Sequence, residues 1–253
     1  VDYTTDAVQS VDIEVLNEHE VSIGEKFMLR IGELIVRSHV EGFKRIKNDT
    51  REVLDFCDLD LPETQLRTVG YWVEFSDDCV NSMISSGAWK AFANDYGKNW
   101  EKVRQKVRLR DGYRCQVCGV RETLNEHHVH HKIPFKMFSS IDLANALDNL
   151  ITLCPNCHKL AENQVRVRSA ISGLKYVFQN LSPLIVMCDP SDLGSYADPA
   201  AKFAQNKPAI LFYDAIPAGI GLSELLFKKF TELLLKSRDL IEHCECTDGC
   251  PSC

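Results

Sequence analysis

The sequence predicts an α+β chain in which a small cysteine-rich unit interrupts a larger domain of strands and helices. Three observations carry this. Strand-type alternation fills the first 76 residues, helical periodicity sets in after residue 167, and two compact cysteine arrays mark the middle and the end of the chain. With 253 residues and 45% hydrophobic content, the chain can bury a substantial core and hold two units. The expected boundaries are 1–88 for the first part of the larger domain, 89–166 for the inserted unit and 167–253 for the second part.

Val11-Asp12-Ile13-Glu14-Val15, Leu29-Arg30-Ile31 and Val73-Glu74-Phe75 alternate apolar and polar residues as half-buried strands do. Asn48-Asp49-Thr50 and Leu61-Pro62-Glu63 read as turns. After the insertion, Ala170, Ile171, Leu174, Val177, Phe178 and Leu181 recur at helical spacing over 169–181. The short apolar runs Leu184-Ile185-Val186-Met187 and Ile210-Leu211-Phe212-Tyr213 read as buried strands. Ser223 is placed to cap a last helix, whose Leu226, Phe227, Phe230, Leu233, Leu234 and Ile241 form a wide apolar face.

In the middle array, Cys115-Gln116-Val117-Cys118 and Cys154-Pro155-Asn156-Cys157 form two Cys-x2-Cys knuckles. Four thiolates so spaced can complete a tetrahedral zinc site, which staples a fold with little core of its own. His127-His128-Val129-His130-His131-Lys132-Ile133-Pro134 lies between the knuckles. Asn149-Leu150-Ile151-Thr152-Leu153 leads into the second knuckle, and His158 follows it.

These residues resemble the HNH endonuclease family, in its four-cysteine zinc subgroup, over roughly 98–162. The resemblance implies a ββα-metal core, with His131 as general base and His130 and His158 as ligands of a catalytic divalent ion. It implies that Asn149 orients the base or helps hold the metal. It also implies DNA phosphodiester hydrolysis leaving a 5′ phosphate and a 3′ hydroxyl. The chemistry suits the residue types. An imidazole is largely neutral at pH 7 and can take a proton from water, and a metal ion can stabilise the leaving oxygen. Two imidazoles with open positions suit Mg²⁺ or Mn²⁺, and equally Zn²⁺ or Ni²⁺. Nothing in the motif requires His127 or His128, which read as strand or loop residues.

The net charge of −7 is unevenly spread. Residues 98–136 hold ten Lys/Arg against four acids, a local +6 that leaves −13 for the remainder. A basic segment confined to the inserted unit is the footprint of phosphate contact, with Arg108, Arg110 and Arg114 the best candidates. The competing reading is a solvated helix face, because Lys102, Arg104, Lys106, Arg108 and Arg110 alternate too regularly to share one side.

The chain ends on Cys244-Glu245-Cys246-Thr247-Asp248-Gly249-Cys250-Pro251-Ser252-Cys253, an array that fits a second structural zinc held by Cys244, Cys246, Cys250 and Cys253. Eight of the eleven cysteines thus lie in metal-type clusters, which fits zinc and a reducing cytoplasm better than disulfides, and leaves Cys57, Cys79 and Cys188 as ordinary thiols. No apolar run is long enough for a transmembrane helix, and no signal peptide pattern opens the chain.

Tyr213-Asp214-Ala215-Ile216-Pro217-Ala218-Gly219-Ile220-Gly221-Leu222-Ser223-Glu224 and the cysteine tail resemble the C-terminal zinc-binding domain of mitomycin repair factor A-type DEAD/DEAH-box helicases. Val40-Glu41-Gly42-Phe43-Lys44, Leu61-Pro62-Glu63, Leu66-Arg67-Thr68 and Met187-Cys188-Asp189-Pro190-Ser191-Asp192-Leu193 are similar to it too. Ala218 departs from the family, which usually has glycine there. The chain has no Gly-x4-Gly-Lys-Ser/Thr loop and begins at Val1, so it reads as the C-terminal part of a longer helicase or as a subunit that pairs with one. The expected partners are DNA and a helicase core. The expected function is a DNA endonuclease in repair or defence. The alternatives are a zinc-dependent DNA-binding module without catalysis and a docking platform for a helicase core.

Overall fold

The structure is a computed structural model that describes residues 3–24, 26–48, 53–86, 95–123, 126–135, 138 and 140–246. The chain divides into two compact units. One holds residues 1–6, 44–57 and 90–165, and the other holds 7–43, 58–89 and 166–253.

The larger unit is built on a mixed-length sheet. Its sheet contains β1 (Tyr3–Ile23), β2 (Phe27–Lys47), β3 (Val53–Asp58), β4 (Thr64–Phe75), β7 (Leu193–Ala201) and β8 (Lys207–Asp214), of which the start of β1, the end of β2 and all of β3 but Asp58 belong to the other unit. The order is β1-β2-β4-β8-β7, with β3 also paired to β2, and the β2–β4, β4–β8 and β8–β7 pairs are antiparallel. Period-two alternation then sorts the side chains. Leu29, Ile31, Val69, Tyr71, Val73, Ile210 and Phe212 face one way. They pack on Val167, Ile171, Phe178 and Ile185 of the helix over Pro155–Val186 and on Leu226, Phe227, Phe230 and Leu233 further along the chain. Leu34, Val36, Trp72 and Leu211 face the other way, where Phe203 meets the Trp72 ring edge-on at 6.2 Å. Gly194 pairs with Tyr213, whose ring would lie 2.1 Å from any Cβ at that position, so only glycine admits the aromatic cover.

The helices are α1 (Asp77–Ser85), α2 (Trp100–Arg110), α3 (Ile141–Ala144), α4 (Pro155–Val186), α5 (Leu222–Lys228) and α6 (Phe230–Glu242). Leu184, Ile185 and Val186 are therefore the end of a helix rather than a strand. The run continues the face of Val177 and Phe178, and Met187 ends it at a φ of +56° with its side chain in solvent. Ser223 is not an N-cap. Gly221 occupies that position, and Ser223 lies inside α5 with its hydroxyl on Asp214 and on the Val69 carbonyl. The expected last helix is broken at Lys229, and Ile241 is half exposed. The strand β7 was not anticipated.

Ala218 lies at a φ of +66°, its N–H donating to the Arg67 carbonyl at 2.9 Å, where an alanine bears a penalty that glycine would not. The loop around it is pinned by the buried Asp214 carboxylate, which accepts from the backbone N–H groups of Ile220, Gly221, Leu222 and Ser223.

The smaller unit contains α2, the hairpin β5 (His128–His131) and β6 (Leu150–Leu153), and the first turns of α4. The hairpin is antiparallel, with His130 opposite Ile151 and His131 opposite Leu150. Val107, Val129 and Leu150 form its small core, with Trp100 and Val103 alongside.

Candidate functional site

Each knuckle is tied to the hairpin by backbone. The Gln116 N–H donates to the Thr152 carbonyl at 3.0 Å, and β6 runs directly into Cys154. The Sγ atoms of Cys115, Cys118, Cys154 and Cys157 all lie within 4.8 Å of one another, with Cys118 and Cys154 at 3.8 Å. A tetrahedral zinc with Zn–S bonds of about 2.3 Å needs sulfurs about 3.8 Å apart, so the donors fit the ion. Burial raises the Cys115 thiol, but N–H groups of Val117, Cys118 and Cys154 outweigh it and bring it to about 6. Cys157, facing the other thiols, is pushed up to about 12. Four thiols so close cannot all ionise without a cation among them. In the C-terminal array, Cys244 is half-buried and Cys246 exposed, while Cys250 and Cys253 lie outside the described residues, as does Lys136.

The histidines divide by face. His128 and His130, two residues apart on β5, both meet His158 on α4. Their ring centroids are 4.6 and 5.3 Å from it, each edge to face. Glu162, one turn on from His158, lies 3.7 Å from its Nδ1. Burial pushes both His130 and His158 below the ordinary histidine value, and Glu162 pulls each partly back. Sequence reasoning passed over His128 and Glu162. The signals for them were strand periodicity, which puts 128 and 130 on one face, and the i, i+4 spacing of 158 and 162. Among the described residues, the cysteines are the one group of three or more ligands gathered within 4.8 Å. The three imidazoles and Glu162 are neighbours without being gathered that tightly.

His131 points the opposite way and is 9% exposed. Its ring lies nearly parallel to those of Tyr96 and Trp100, 5.2 Å from each, with the edge of Phe135 at 5.5 Å. Its Nε2 is 3.1 Å from Asn145 Oδ1. Burial lowers its pKa, and the Asn145 contact opposes that in part. Asn149 is buried and hydrogen-bonded through both ends of its amide. Its Oδ1 accepts from the Ile133 N–H at 2.9 Å, and its Nδ2 donates to the carbonyls of Ala144 and Ile133. It braces the segment after His131. His127 is a structural residue, its Nε2 3.0 Å from the Val120 carbonyl.

Two of the three arginines expected on DNA have protein partners. Arg108 is buried against Glu122 and Glu126. Arg110 holds Asp111 and the carbonyls of Leu147 and Leu150, locking α2 to the hairpin. Arg108, at 7% side-chain exposure, is thus engaged within the unit, whereas Arg110 keeps 39% of its side chain exposed. Arg114 is exposed, with one 3.3 Å bond to the Gly119 carbonyl. Among the described residues, exposed cations include Lys102 and Lys106, one turn apart on α2, with Lys132 and Lys159 beside the histidines in sequence.

A β-hairpin and a helix presenting imidazoles, stapled by four cysteines and inserted in a sheet domain with a cysteine-rich end, define a zinc-binding HNH protein of the helicase-associated class. Residues 115–164 match the family model described as HNH endonuclease, and 174–253 match that of the MrfA Zn-binding domain. The chain is 25% identical over 253 residues to the uncharacterized ATP-dependent helicase YprA of Bacillus subtilis, covering 100% of this chain and 23% of the helicase. It is 34% identical over 77 residues to the uncharacterized protein MJ1572.1 of Methanocaldococcus jannaschii, 29% of this chain and 67% of that protein. A crystal structure of the DUF1998 helicase MrfA bound to DNA superposes with a TM-score of 0.50 at 25% identity, covering 100% of this chain and 23% of that one. The chain thus spans about a quarter of the helicases it matches. Among the described residues, no helix is long and apolar enough to cross a membrane.

Proposed function

We propose that this chain is a metal-dependent DNA endonuclease that forms the C-terminal part, or a partner, of a DEAD/DEAH-box helicase. The observation that carries the reading is the meeting of His128 and His130 with His158 on one face of the hairpin and α4. His130 and His158 would hold a divalent ion, Mg²⁺ or Mn²⁺, with Zn²⁺ or Ni²⁺ as substitutes in vitro. That ion would stabilise charge on the scissile phosphate and the departing 3′ oxygen. His131, kept neutral by burial, accepts the proton of the attacking water. Asn149 holds the backbone that follows it. Lys102, Lys106 and Arg114 supply phosphate contact on the DNA.

The likeness to YprA and to a DNA-bound MrfA supports a helicase core as partner, and a nuclease so tethered meets DNA at a raised local concentration. Repair, or defence against foreign DNA, in a reducing cytoplasm is the setting this combination suits. One observation favours a second reading, a zinc-stapled DNA-binding or docking module without catalysis: the 9% exposure of His131 behind Tyr96, Trp100 and Phe135. Incubating the zinc-loaded chain with supercoiled plasmid in Mg²⁺, Mn²⁺ or EDTA separates the two. Metal-dependent nicking supports the nuclease, and binding without nicking in any metal supports the module.

A further inference from the structure

We infer that Asn145 is a positioning residue for His131, fixing the tautomer in which Nε2 carries the hydrogen and Nδ1 is the proton-accepting atom. The inference rests on the reading of His131 as the general base.

The orientation of the Asn145 amide is set from its far side. Its Nδ2 donates to the Tyr96 carbonyl at 2.9 Å, which can only accept, so Oδ1 is the atom turned to His131. Oδ1 lies 3.1 Å from Nε2 and is itself an acceptor, so Nε2 must be the donor. A neutral imidazole with its hydrogen on Nε2 has its lone pair on Nδ1, and Nδ1 has no hydrogen-bond partner among the described residues. When Nδ1 takes a proton from water, the hydroxide oxygen bonds to phosphorus as the P–O3′ bond breaks, and the departing 3′ oxygen takes a proton from solvent. The imidazolium keeps its Nε2–H on Asn145, whose carbonyl dipole favours the new charge.

The backbone around Asn145 is built to hold this amide. Ser140 caps α3 through its hydroxyl, and Asn145 closes the same short helix with its own N–H on the Ile141 carbonyl. Asn149 ties Ala144 and Ile133 together, which joins α3 to the segment leaving His131. Tyr96 contributes twice, through the carbonyl that orients the amide and the ring that lies along the imidazole. Tyr96 and Trp100 stack on each other at 4.6 Å, so the ring plane of His131 is held as well as its hydrogen.

The test is nitrogen-15 NMR of the histidine side chains in the whole zinc-loaded chain, with the His131 signals assigned by their loss in His131→Gln. The expected result is a neutral Nε2–H form in the wild type and a mixture of both tautomers in Asn145→Ala. In parallel, kcat for plasmid nicking should fall about 10- to 100-fold in Asn145→Ala while KM and DNA affinity stay within about twofold. A residue that merely supports the fold would lower DNA affinity and zinc retention along with kcat and leave the tautomer unchanged, which overturns the inference. An Nδ1–H form in the wild type also overturns it, and that spectrum needs neither a stable variant nor activity. If the wild type shows the Nε2–H form yet never nicks DNA, the nuclease reading fails and Asn145 still sets the tautomer.

Discussion

Arg108 and Glu122 meet as a buried two-pronged ion pair, with Nε 3.1 Å from Oε2 and a second, shorter contact between Nη2 and Oε1. Glu122 also accepts the His127 N–H at 3.0 Å, and Arg108 reaches Glu126 at 3.1 Å. The pair binds α2 to the loop between the first knuckle and the hairpin, so it holds together the elements that carry the zinc and the histidines.

Arg108→Ala should therefore destabilise the smaller unit by about 3–5 kcal/mol, since it leaves a buried carboxylate without its partner. Thermal unfolding followed by circular dichroism measures this. Replacing Lys102 and Lys106 together by Ala should leave unfolding nearly unchanged and lower the salt dependence of DNA binding by about two phosphate contacts. A stable Arg108→Ala protein that has lost only DNA affinity would return Arg108 to the DNA interface.

Acid should act through the same pair. Burial alone would raise the Glu122 carboxyl, but Arg108 and the His127 N–H outweigh burial and hold it below the usual range. A depressed folded-state value means the pair stabilises fully above the unfolded-state value of about 4.3, and the stabilisation is lost as pH falls through the folded-state value. The Tm gap between wild type and Glu122→Gln should stay level from pH 7 to about 4.5 and close below it. Zinc loss in acid is common to both proteins and cancels in the gap. A gap that closed between pH 7 and 6 would point to a histidine instead.

Elemental analysis after dialysis should give about two zincs per chain, one on Cys115, Cys118, Cys154 and Cys157 and one on the C-terminal cysteines. Chelation should unfold the smaller unit, because its apolar core is confined to a few residues around Val107, Val129 and Leu150. A content near one or zero contradicts this assignment.

Ala218→Gly should raise the Tm of the larger unit by about 2–4 °C, because it relieves a left-handed alanine at a cost of about 1 kcal/mol or more. Differential scanning calorimetry is the measurement. An unchanged or lower Tm would mean that the extra freedom of glycine in the unfolded chain outweighs the relief.

Local chemistry made much of the molecule legible from sequence. The alternation of Leu29 and Ile31 and of Val73 and Phe75 marked central strands, and the Cys-x2-Cys spacings marked a site whose sulfurs do lie together. What escaped was set by distant partners. Leu184-Ile185-Val186 looked like a strand because a short apolar run fits either state, and its attachment to a 32-residue helix decided the matter. Ser223 looked like a cap, but the carboxylate that satisfies the helix start comes from Asp214 on β8. β7, with Gly194 and Pro199, lacks the apolar alternation of a strand and is held by its pairing with β8. Arg108 looked like a DNA contact because Glu122, fourteen residues on, was not visible as its partner.

The most direct test of the central claim is single-turnover nicking of supercoiled plasmid in Mn²⁺ by the wild type and by His131→Ala, with zinc content and DNA affinity measured on both. The wild type should nick and His131→Ala should lose at least about 100-fold in rate with binding intact, since a general base contributes to the transition state rather than to the bound state. Equal rates for the two proteins would contradict the assignment of His131 and, with it, the active site described for this chain.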